Sequence, residues 1–174
     1  LYDFSIGSDT GGSVRIPASF CGLIGMRPTH NRINTKGVYP MAPSFDTVGW
    51  FANSVGIFQK VGEVLLDKMD KSDINFRQFV IAEDLLELCD AAVQENFNNY
   101  IKNNLPGIDK NRLSNISKDI IADNFRVLQG YEVKINIIPW IEKNRPKISP
   151  EIKSRIDMAS KITDIEVSKA LTFR

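Results

Sequence analysis

The sequence predicts an α/β fold, because strand patterns are followed by helical patterns at two places in the chain. Residues 2–6 alternate polar and apolar side chains and run straight into a glycine-rich turn, after which residues 14–21 can form a short helix. Residues 79–82 form an apolar run that is typical of a buried strand, and a helical stripe of apolar side chains follows over residues 85–101.

The segment between these two units predicts one more strand, a long loop and a helix. Residues 22–26 (GLIGM) indicate a short buried strand. Residues 29–47 are rich in turn-forming residues and show no sustained period, so we predict a long ordered loop that either lines a pocket or only connects elements. Asn53 or Ser54 can then cap a helix. Its apolar residues recur every three or four positions: Val55, Phe58, Val61, Leu65 and Met69.

The second half of the chain is predicted to be mostly helical. Residues 103–115 indicate a loop, and residues 116–144 indicate a helix that is broken or kinked at Pro139. Ser149 is expected to cap a last helix that begins with a proline and continues past Thr163.

The composition bounds the possible partners. With 174 residues, of which 43% are hydrophobic, the chain is long enough for one core, and we treat residues 1–174 as a single domain. Lys and Arg total 22 against 21 Asp and Glu, so no net field would draw the chain to nucleic acid or to an anionic membrane. A small molecule or a protein is the expected partner.

The cysteines and the apolar runs indicate a reducing compartment. Cys21 and Cys89 lie far apart and form neither a disulfide framework nor a metal motif, so we expect two buried thiols and no metal or cofactor. No apolar run approaches the roughly 20 residues that span a bilayer, and the first residues do not resemble a signal peptide. A cytoplasmic location is expected.

Residues 7–19 (GSDTGGSVRIPAS) carry the clearest chemical signal in the chain. Two adjacent glycines let successive backbone N–H groups point into one concavity, which suits the stabilisation of an oxyanion. Ser13 follows them and is the candidate nucleophile. The amides of Thr10, Gly11, Gly12 and Ser13 are the candidate oxyanion donors. Asp9 and Arg15 flank the turn and can support it as a charge-assisted pair.

The base that would activate Ser13 is not evident from the residues. His30 is the only histidine in the chain, and a lone loop histidine is more often structural than catalytic. A phosphate-binding turn is the alternative, but the lysine and the glycine spacing of nucleotide-binding loops are both lacking. The residues alone therefore leave a serine nucleophile without its base, or a glycine-rich turn without chemistry.

A family resemblance decides between these interpretations. Residues 7–18 resemble the core of the amidase signature family, and the match continues through residues 21–30, 37–40 and 44–52. Residues 125–132 and 146–163 more loosely resemble the later part of its indole-acetamide-hydrolase-like branch. The resemblance implies a mixed twisted β-sheet with helices on both faces and a Ser-cisSer-Lys triad that hydrolyses the C–N bond of carboxylic amides.

The resemblance also assigns roles residue by residue. Ser13 matches the acylated nucleophile, and Asp9 and Arg15 match the pair that supports its loop. Thr10, Gly11 and Gly12, with Ser13, match the oxyanion hole. The family's lysine and cis-serine lie upstream of the nucleophile, and Lys36 and Lys60 match neither. We therefore expect a partial amidase domain that is inactive by itself, whose C-terminal end also continues further.

Three functions remain open from the sequence. The first is a serine amidase that acts on a small amide, such as an aryl or arylalkyl acetamide, with a homodimer as one allowed assembly. Its pocket wall would include Tyr39, Met41, Phe45 and Trp50, unless those side chains belong to the core. The second is an amidase-like receptor or docking domain without catalysis, since some relatives carry glycine in place of the nucleophile. The third, a subunit of an amidotransferase, is less favoured.

Overall fold

A computed structural model describes residues 2–66 and 79–174 of the protein. Its strands are β1 (Phe4–Asp9), β2 (Ile24–Met26), β3 (Thr47–Ala52), β4 (Val80–Ala82) and β5 (Asp109–Asn111). Its helices are α1 (Arg15–Phe20), α2 (Val55–Leu65), α3 (Glu83–Leu86), α4 (Ala91–Asn104), α5 (Lys118–Asn136), α6 (Ile138–Asn144), α7 (Pro150–Ser160) and α8 (Asp164–Phe173). The predicted α/β class is confirmed.

The chain divides into two compact units, Leu1–Asp70 with Ala122–Arg174, and Lys71–Ile121. The first unit holds a three-stranded antiparallel sheet of order β1-β3-β2. The second holds a two-stranded parallel sheet of β4 and β5. That residues 1–174 form one domain stays a prediction.

β3 is the central strand of the first sheet and was not predicted. It pairs with all six residues of β1, from Phe4 opposite Ala52 to Asp9 opposite Thr47. The side chain of Trp50 within β3 is 1% exposed, stacks on Phe58 of α2 at 5.1 Å, and donates its indole N–H to the Phe58 carbonyl at 3.2 Å. Trp50 is therefore a core residue that fixes α2 on the sheet, not a pocket wall.

Two helices begin at the serines that the sequence predicted as caps. The Ser54 side chain accepts the Ile57 amide at the start of α2, and Ser149 accepts the Ile152 amide at the start of α7. Met69, the last residue of the predicted α2 stripe, lies outside the described residues. Pro139 stands in the first turn of α6, where its missing N–H is harmless, so the predicted break separates α5 from α6.

Two predicted helices are each divided in the structure. The stripe over residues 85–101 falls into α3 and α4, and the last predicted helix falls into α7 and α8. At the second division, the Thr163 side chain accepts the Glu166 amide while the Glu166 carboxylate accepts the Thr163 amide. This capping box begins a new helix at the point where the sequence suggested continuity.

The second unit contains one strand that was predicted as loop. β5 lies within residues 103–115 and pairs in parallel with β4. Asp84 at the start of α3 accepts the amides of Leu113 at 3.0 Å and Ser114 at 3.2 Å, which fixes the segment after β5. Three polar, exposed residues form this strand, so no apolar pattern marks it in the sequence.

Two further findings concern the surface. Both free cysteines, Cys21 and Cys89, are exposed, so the prediction of two buried thiols was wrong. Cys21 ends α1 and Cys89 lies in the turn between α3 and α4, and in both places the chain faces solvent. In the described parts of the chain, no helix combines the length and the apolar character needed to cross a membrane.

Candidate active site

The turn between β1 and α1 presents Ser13 at the surface. The Ser13 residue is exposed, and within residues 2–66 and 79–174 its hydroxyl has no hydrogen-bond partner. The Ile16 amide donates to the Gly12 carbonyl at 2.8 Å. This backbone hydrogen bond spans Ser13 and leads into α1. An exposed serine whose hydroxyl has no described hydrogen-bond partner can act as a nucleophile once a base is present.

Asp9 holds this turn from inside. Its side chain is fully buried, and its carboxylate accepts the amides of Gly12 at 2.8 Å, Val14 at 3.1 Å and Arg15 at 3.2 Å. The Arg15 guanidinium adds two bonds to the same carboxylate, at 2.9 and 3.1 Å. Burial by itself would raise the pKa of Asp9, but these hydrogen bonds outweigh it and hold the pKa far below its ordinary value.

The Gly12 amide donates to the Asp9 carboxylate, so it is not free to donate to an oxyanion. The expected set of oxyanion donors therefore changes: Thr10, Gly11 and Ser13 keep their candidacy, and Gly12 contributes its conformation. Its φ of +119° lies in the region that glycine tolerates, and a Cβ there would lie 2.6 Å from Ile16 Cδ1. Only glycine lets the chain reverse between the Asp9 contacts and Ser13.

Arg27 is a second cation at Asp9 that sequence reasoning missed. Its guanidinium lies 3.5 Å from Asp9 Oδ1, donates to the Asp9 carbonyl, and donates to the Phe45 carbonyl at 2.7 Å. Arg27 therefore ties the end of β1 to the segment before β3. Arg27 directly follows the strand predicted over residues 22–26 and lies within the matched residues 21–30, but neither observation linked it to Asp9.

Asp46 is another residue that the sequence analysis did not single out. Its Oδ1 accepts the Thr10 hydroxyl at 2.6 Å, and its Oδ2 accepts the amides of Met41 and Ala42, each at 2.9 Å. Thr10 itself is 6% exposed. The loop before β3 is thus bonded to the turn that carries Ser13.

The Phe125 side chain lies against one side of Gly11, which is otherwise exposed. A Cβ at Gly11 would lie 2.9 Å from Phe125 Cζ of α5, and the Phe125 ring packs edge-on against Phe45 at 4.9 Å. The Arg174 guanidinium lies 4.5 Å from the centroid of the Phe45 ring and donates to the Ser44 hydroxyl and carbonyl at 2.8 and 3.0 Å. This packing leaves Gly11 room for hydrogen only.

The long predicted loop over residues 29–47 is present, and the structure separates its aromatic residues. Tyr39 is exposed, and its hydroxyl donates to the Asn136 carbonyl at 3.3 Å. The loop encloses a cavity of about 60 Å³, lined by Thr35, Val38, Tyr39, Pro40, Pro43 and Asp46. That space admits water but is far below the roughly 300 Å³ of a small-molecule site.

Among the described residues, neither His30 nor Lys36 nor Lys60 forms a hydrogen bond with Ser13. The His30 ring nitrogen Nε2 lies 2.9 Å from the Pro43 carbonyl, a structural contact within the loop. Lys36 and Lys60 are exposed. In the ranges that the structure describes, no group of three or more His, Cys, Asp or Glu residues could hold a metal ion.

Comparison with known proteins identifies the family. The family model described as Amidase matches residues 1–87, which include the whole β1–turn–α1 segment and the segment that carries Asp46. The chain belongs to the amidase family. An amidase crystal structure matches 97% of this chain with a TM-score of 0.81 at 24% identity, which shows the amidase fold.

Two curated relatives are similar to nearly the whole chain. It is 37% identical to "Amidase 1" of Arabidopsis thaliana over 96% of the chain. It is 28% identical to "Translocon at the outer membrane of chloroplasts 64" of Pisum sativum over 99% of the chain. The matched regions span 47% and 34% of these relatives, and 39% of the amidase crystal structure. The chain therefore spans less than half the length of these three proteins.

Proposed function

We propose that the whole protein hydrolyses the C–N bond of a small carboxylic amide through an acyl-enzyme on Ser13. The observation that carries the proposal is Ser13, an exposed residue whose hydroxyl has no hydrogen-bond partner among the described residues, on a turn that Asp9 holds by hydrogen bonds. Membership of the amidase family supports the reaction class. Substrates with an aryl or arylalkyl acetamide group are the first to test.

The proposed chemistry proceeds in two balanced steps. Ser13 Oγ attacks the amide carbonyl carbon, its proton passes through the base to the leaving nitrogen, and the C–N bond breaks to leave an ester on Ser13. Water then attacks the ester and releases the carboxylic acid, and the Ser13 hydroxyl is restored. The amides of Thr10, Gly11 and Ser13 are the proposed donors to the oxyanion that forms in both steps.

We place the base, a lysine acting with a cis-serine, outside residues 1–174. The described residues hold no base that contacts the Ser13 hydroxyl, and the chain covers under half of its amidase relatives. Residues 1–174 produced alone are therefore expected to be inactive. Robust amide hydrolysis by this piece that disappears with Ser13→Ala would contradict the placement.

An amidase-like receptor or docking domain without catalysis is the second candidate. The similarity to the pea translocon protein over 99% of the chain favours it. The cytoplasmic location and the homodimer stay predictions.

One experiment separates the two functions. We would use the whole protein, its Ser13→Ala variant and its Ser19→Ala variant. Each is treated with a fluorophosphonate, and labelling is measured as a change of intact mass. Hydrolysis of arylacetamides by each protein is measured separately. Ser19 is an exposed serine on α1 and serves as the matched control. If the protein is an amidase, the wild type and Ser19→Ala are labelled and hydrolyse the amide, whereas Ser13→Ala does neither. A docking domain gives neither in the wild type, and labelling that persists in Ser13→Ala would reject Ser13 as the nucleophile.

A further inference from the structure

Thr10 and Asp46 face each other where the β1–β3 ladder ends. The last backbone pair of the two strands is Asp9 opposite Thr47, so Thr10 and Asp46 occupy the next position along the same register. There the backbone leaves the sheet to form the turn that carries Ser13. The Thr10 hydroxyl donates to Asp46 Oδ1 at 2.6 Å, so a side-chain hydrogen bond continues the pairing where the ladder stops.

The Asp46 carboxylate is itself fixed. Besides Thr10, it accepts the amides of Met41 and Ala42, and the Asp46 amide donates to the Ala42 carbonyl at 2.8 Å. The carboxylate thus bridges its own loop and Thr10 with both oxygens occupied. A hydrogen bond to a charged acceptor at this distance is among the stronger ones in proteins.

We infer that Asp46 is a positioning residue that orients the Thr10 amide for the oxyanion, through the Thr10 hydroxyl. The inference rests on the proposed function. The Gly12 amide is bound to Asp9, so the proposed oxyanion donors are Thr10, Gly11 and Ser13. Fixing the Thr10 side chain fixes the peptide planes on either side of it, and an oxyanion donor acts only within about 2.7–3.1 Å of the developing charge.

The structure also separates this role from simple support of the loop. Arg27 binds the Asp9 and Phe45 carbonyls and joins the same two segments without using the Thr10 hydroxyl. Removing that hydroxyl therefore leaves the loop attached to β1. A merely structural Asp46 would act through Met41 and Ala42, and Thr10→Val would then have little effect on turnover.

The test uses the whole protein and its Ser13-dependent hydrolysis of an arylacetamide. The variants are Thr10→Val, which keeps the shape and removes the donor, Thr10→Ser, which keeps the donor, Asp46→Asn, and the double variant. Asp157→Asn, an exposed residue of α7, is the control for the same chemical change. For each variant kcat, KM and the unfolding midpoint are measured.

We expect Thr10→Val and Asp46→Asn each to lower kcat by about tenfold or more with KM within about threefold, because a misaligned donor weakens only the transition state. In Asp46→Asn the one remaining carbonyl oxygen is expected to accept the two amides of Met41 and Ala42, which leaves no acceptor for the Thr10 hydroxyl. The double variant should therefore be no slower than the slower single variant, since both changes remove the same hydrogen bond. Thr10→Ser, which restores the hydroxyl donor, should recover most of the kcat that Thr10→Val loses, and Asp157→Asn should keep kcat. If Asp46→Asn does not fold, the comparison of Thr10→Val with Thr10→Ser decides.

The inference fails in three distinguishable ways. A wild type without amide hydrolysis overturns the proposed function and the inference with it. An active wild type with a Thr10→Val variant of unchanged kcat overturns the inference alone. Losses that multiply in the double variant, or a Thr10→Ser variant as slow as Thr10→Val, also overturn it, because Asp46 would then act by another route.

Discussion

The Asp9 carboxylate and the Arg15 guanidinium meet at two points, with Nη2 2.9 Å from Oδ1 and Nε 3.1 Å from Oδ2. The Asp9 side chain is fully buried, whereas half of the Arg15 side chain is exposed. The pair therefore brings a surface cation to a buried anion that also binds the turn amides. This arrangement makes the stability of the turn depend on one ionised carboxylate.

Asp9→Asn should destabilise the whole protein by about 3 kcal/mol, because an amide cannot accept all of the donors that converge there and leaves buried groups without partners. Urea unfolding at pH 7 measures the loss. Asp157→Asn on the exposed face of α7 is the control and should change the free energy of unfolding by less than about 0.5 kcal/mol. Equal stability of the two variants would contradict the role of Asp9.

The stability that Asp9 contributes should vanish in acid. The pKa of Asp9 is lowered in the folded protein from an ordinary value of 3.8, so the contribution is complete above about pH 4 and is lost as the pH falls toward the folded-state pKa. Other carboxylates with lowered pKa, Asp84, Glu87, Glu151 and Glu166, titrate in both proteins. The difference in unfolding free energy between wild type and Asp9→Asn should therefore shrink below pH 4, and a constant difference would refute the assignment.

Gly12→Ala should abolish turnover and destabilise the turn. Its φ of +119° disfavours any side chain, and the added Cβ would meet Ile16 Cδ1 at 2.6 Å. Gly56→Ala is the control, because among the described residues no atom beyond its own stretch of helix lies within 4 Å of its added Cβ, and it stands in α2, where alanine is the better helix former. Hydrolysis and the unfolding midpoint are measured for both. An active Gly12→Ala variant would show that the turn does not need this conformation.

Gly11→Ala should also be damaging, but for a reason that a second change can remove. Its backbone has no positive φ, and the obstacle is Phe125 Cζ, 2.9 Å from the added Cβ. Shortening the partner in a Gly11→Ala, Phe125→Val double variant should recover part of the unfolding free energy relative to Gly11→Ala alone. Ile16→Ala should give no comparable recovery of stability to Gly12→Ala, since φ remains unfavourable there. Recovery in neither case would point to a different cause at Gly11.

The sequence predicted the contacts within the turn that carries Ser13, and it missed the contacts from residues that are distant in the chain. Asp9 and Arg15 are six residues apart on one turn, so their pairing follows from the motif itself. Arg27 and Asp46 reach the turn only because β2 and β3 pair in one particular register. No local pattern encodes that register, so nothing in the sequence connected Asp46, the only acidic residue of the predicted loop over residues 29–47, with Thr10.

The fold was predicted where the pattern was local and apolar, and missed elsewhere. β3 (TVGWFA) is buried or half-buried at every position, so it lacks the alternation that marks a strand with one solvent face. The division between α7 and α8 depends on the Thr163 capping box, which the apolar stripe across it concealed. β3 and the division between α7 and α8 therefore depend on strand pairing and helix capping, which hydrophobic periodicity does not predict.

Thr163→Ala should destabilise the first compact unit by about 1 kcal/mol, because the alanine leaves the Glu166 amide without its acceptor at the start of α8. The buried contacts of Leu128 with Val167 and Ala170 depend on that helix, so the loss should appear in global unfolding and not only as fraying. Ser168→Ala, an exposed change within α8, is the matched control and should be neutral or slightly stabilising. Urea unfolding of both variants decides, and equal midpoints would show that α8 begins without help from its cap.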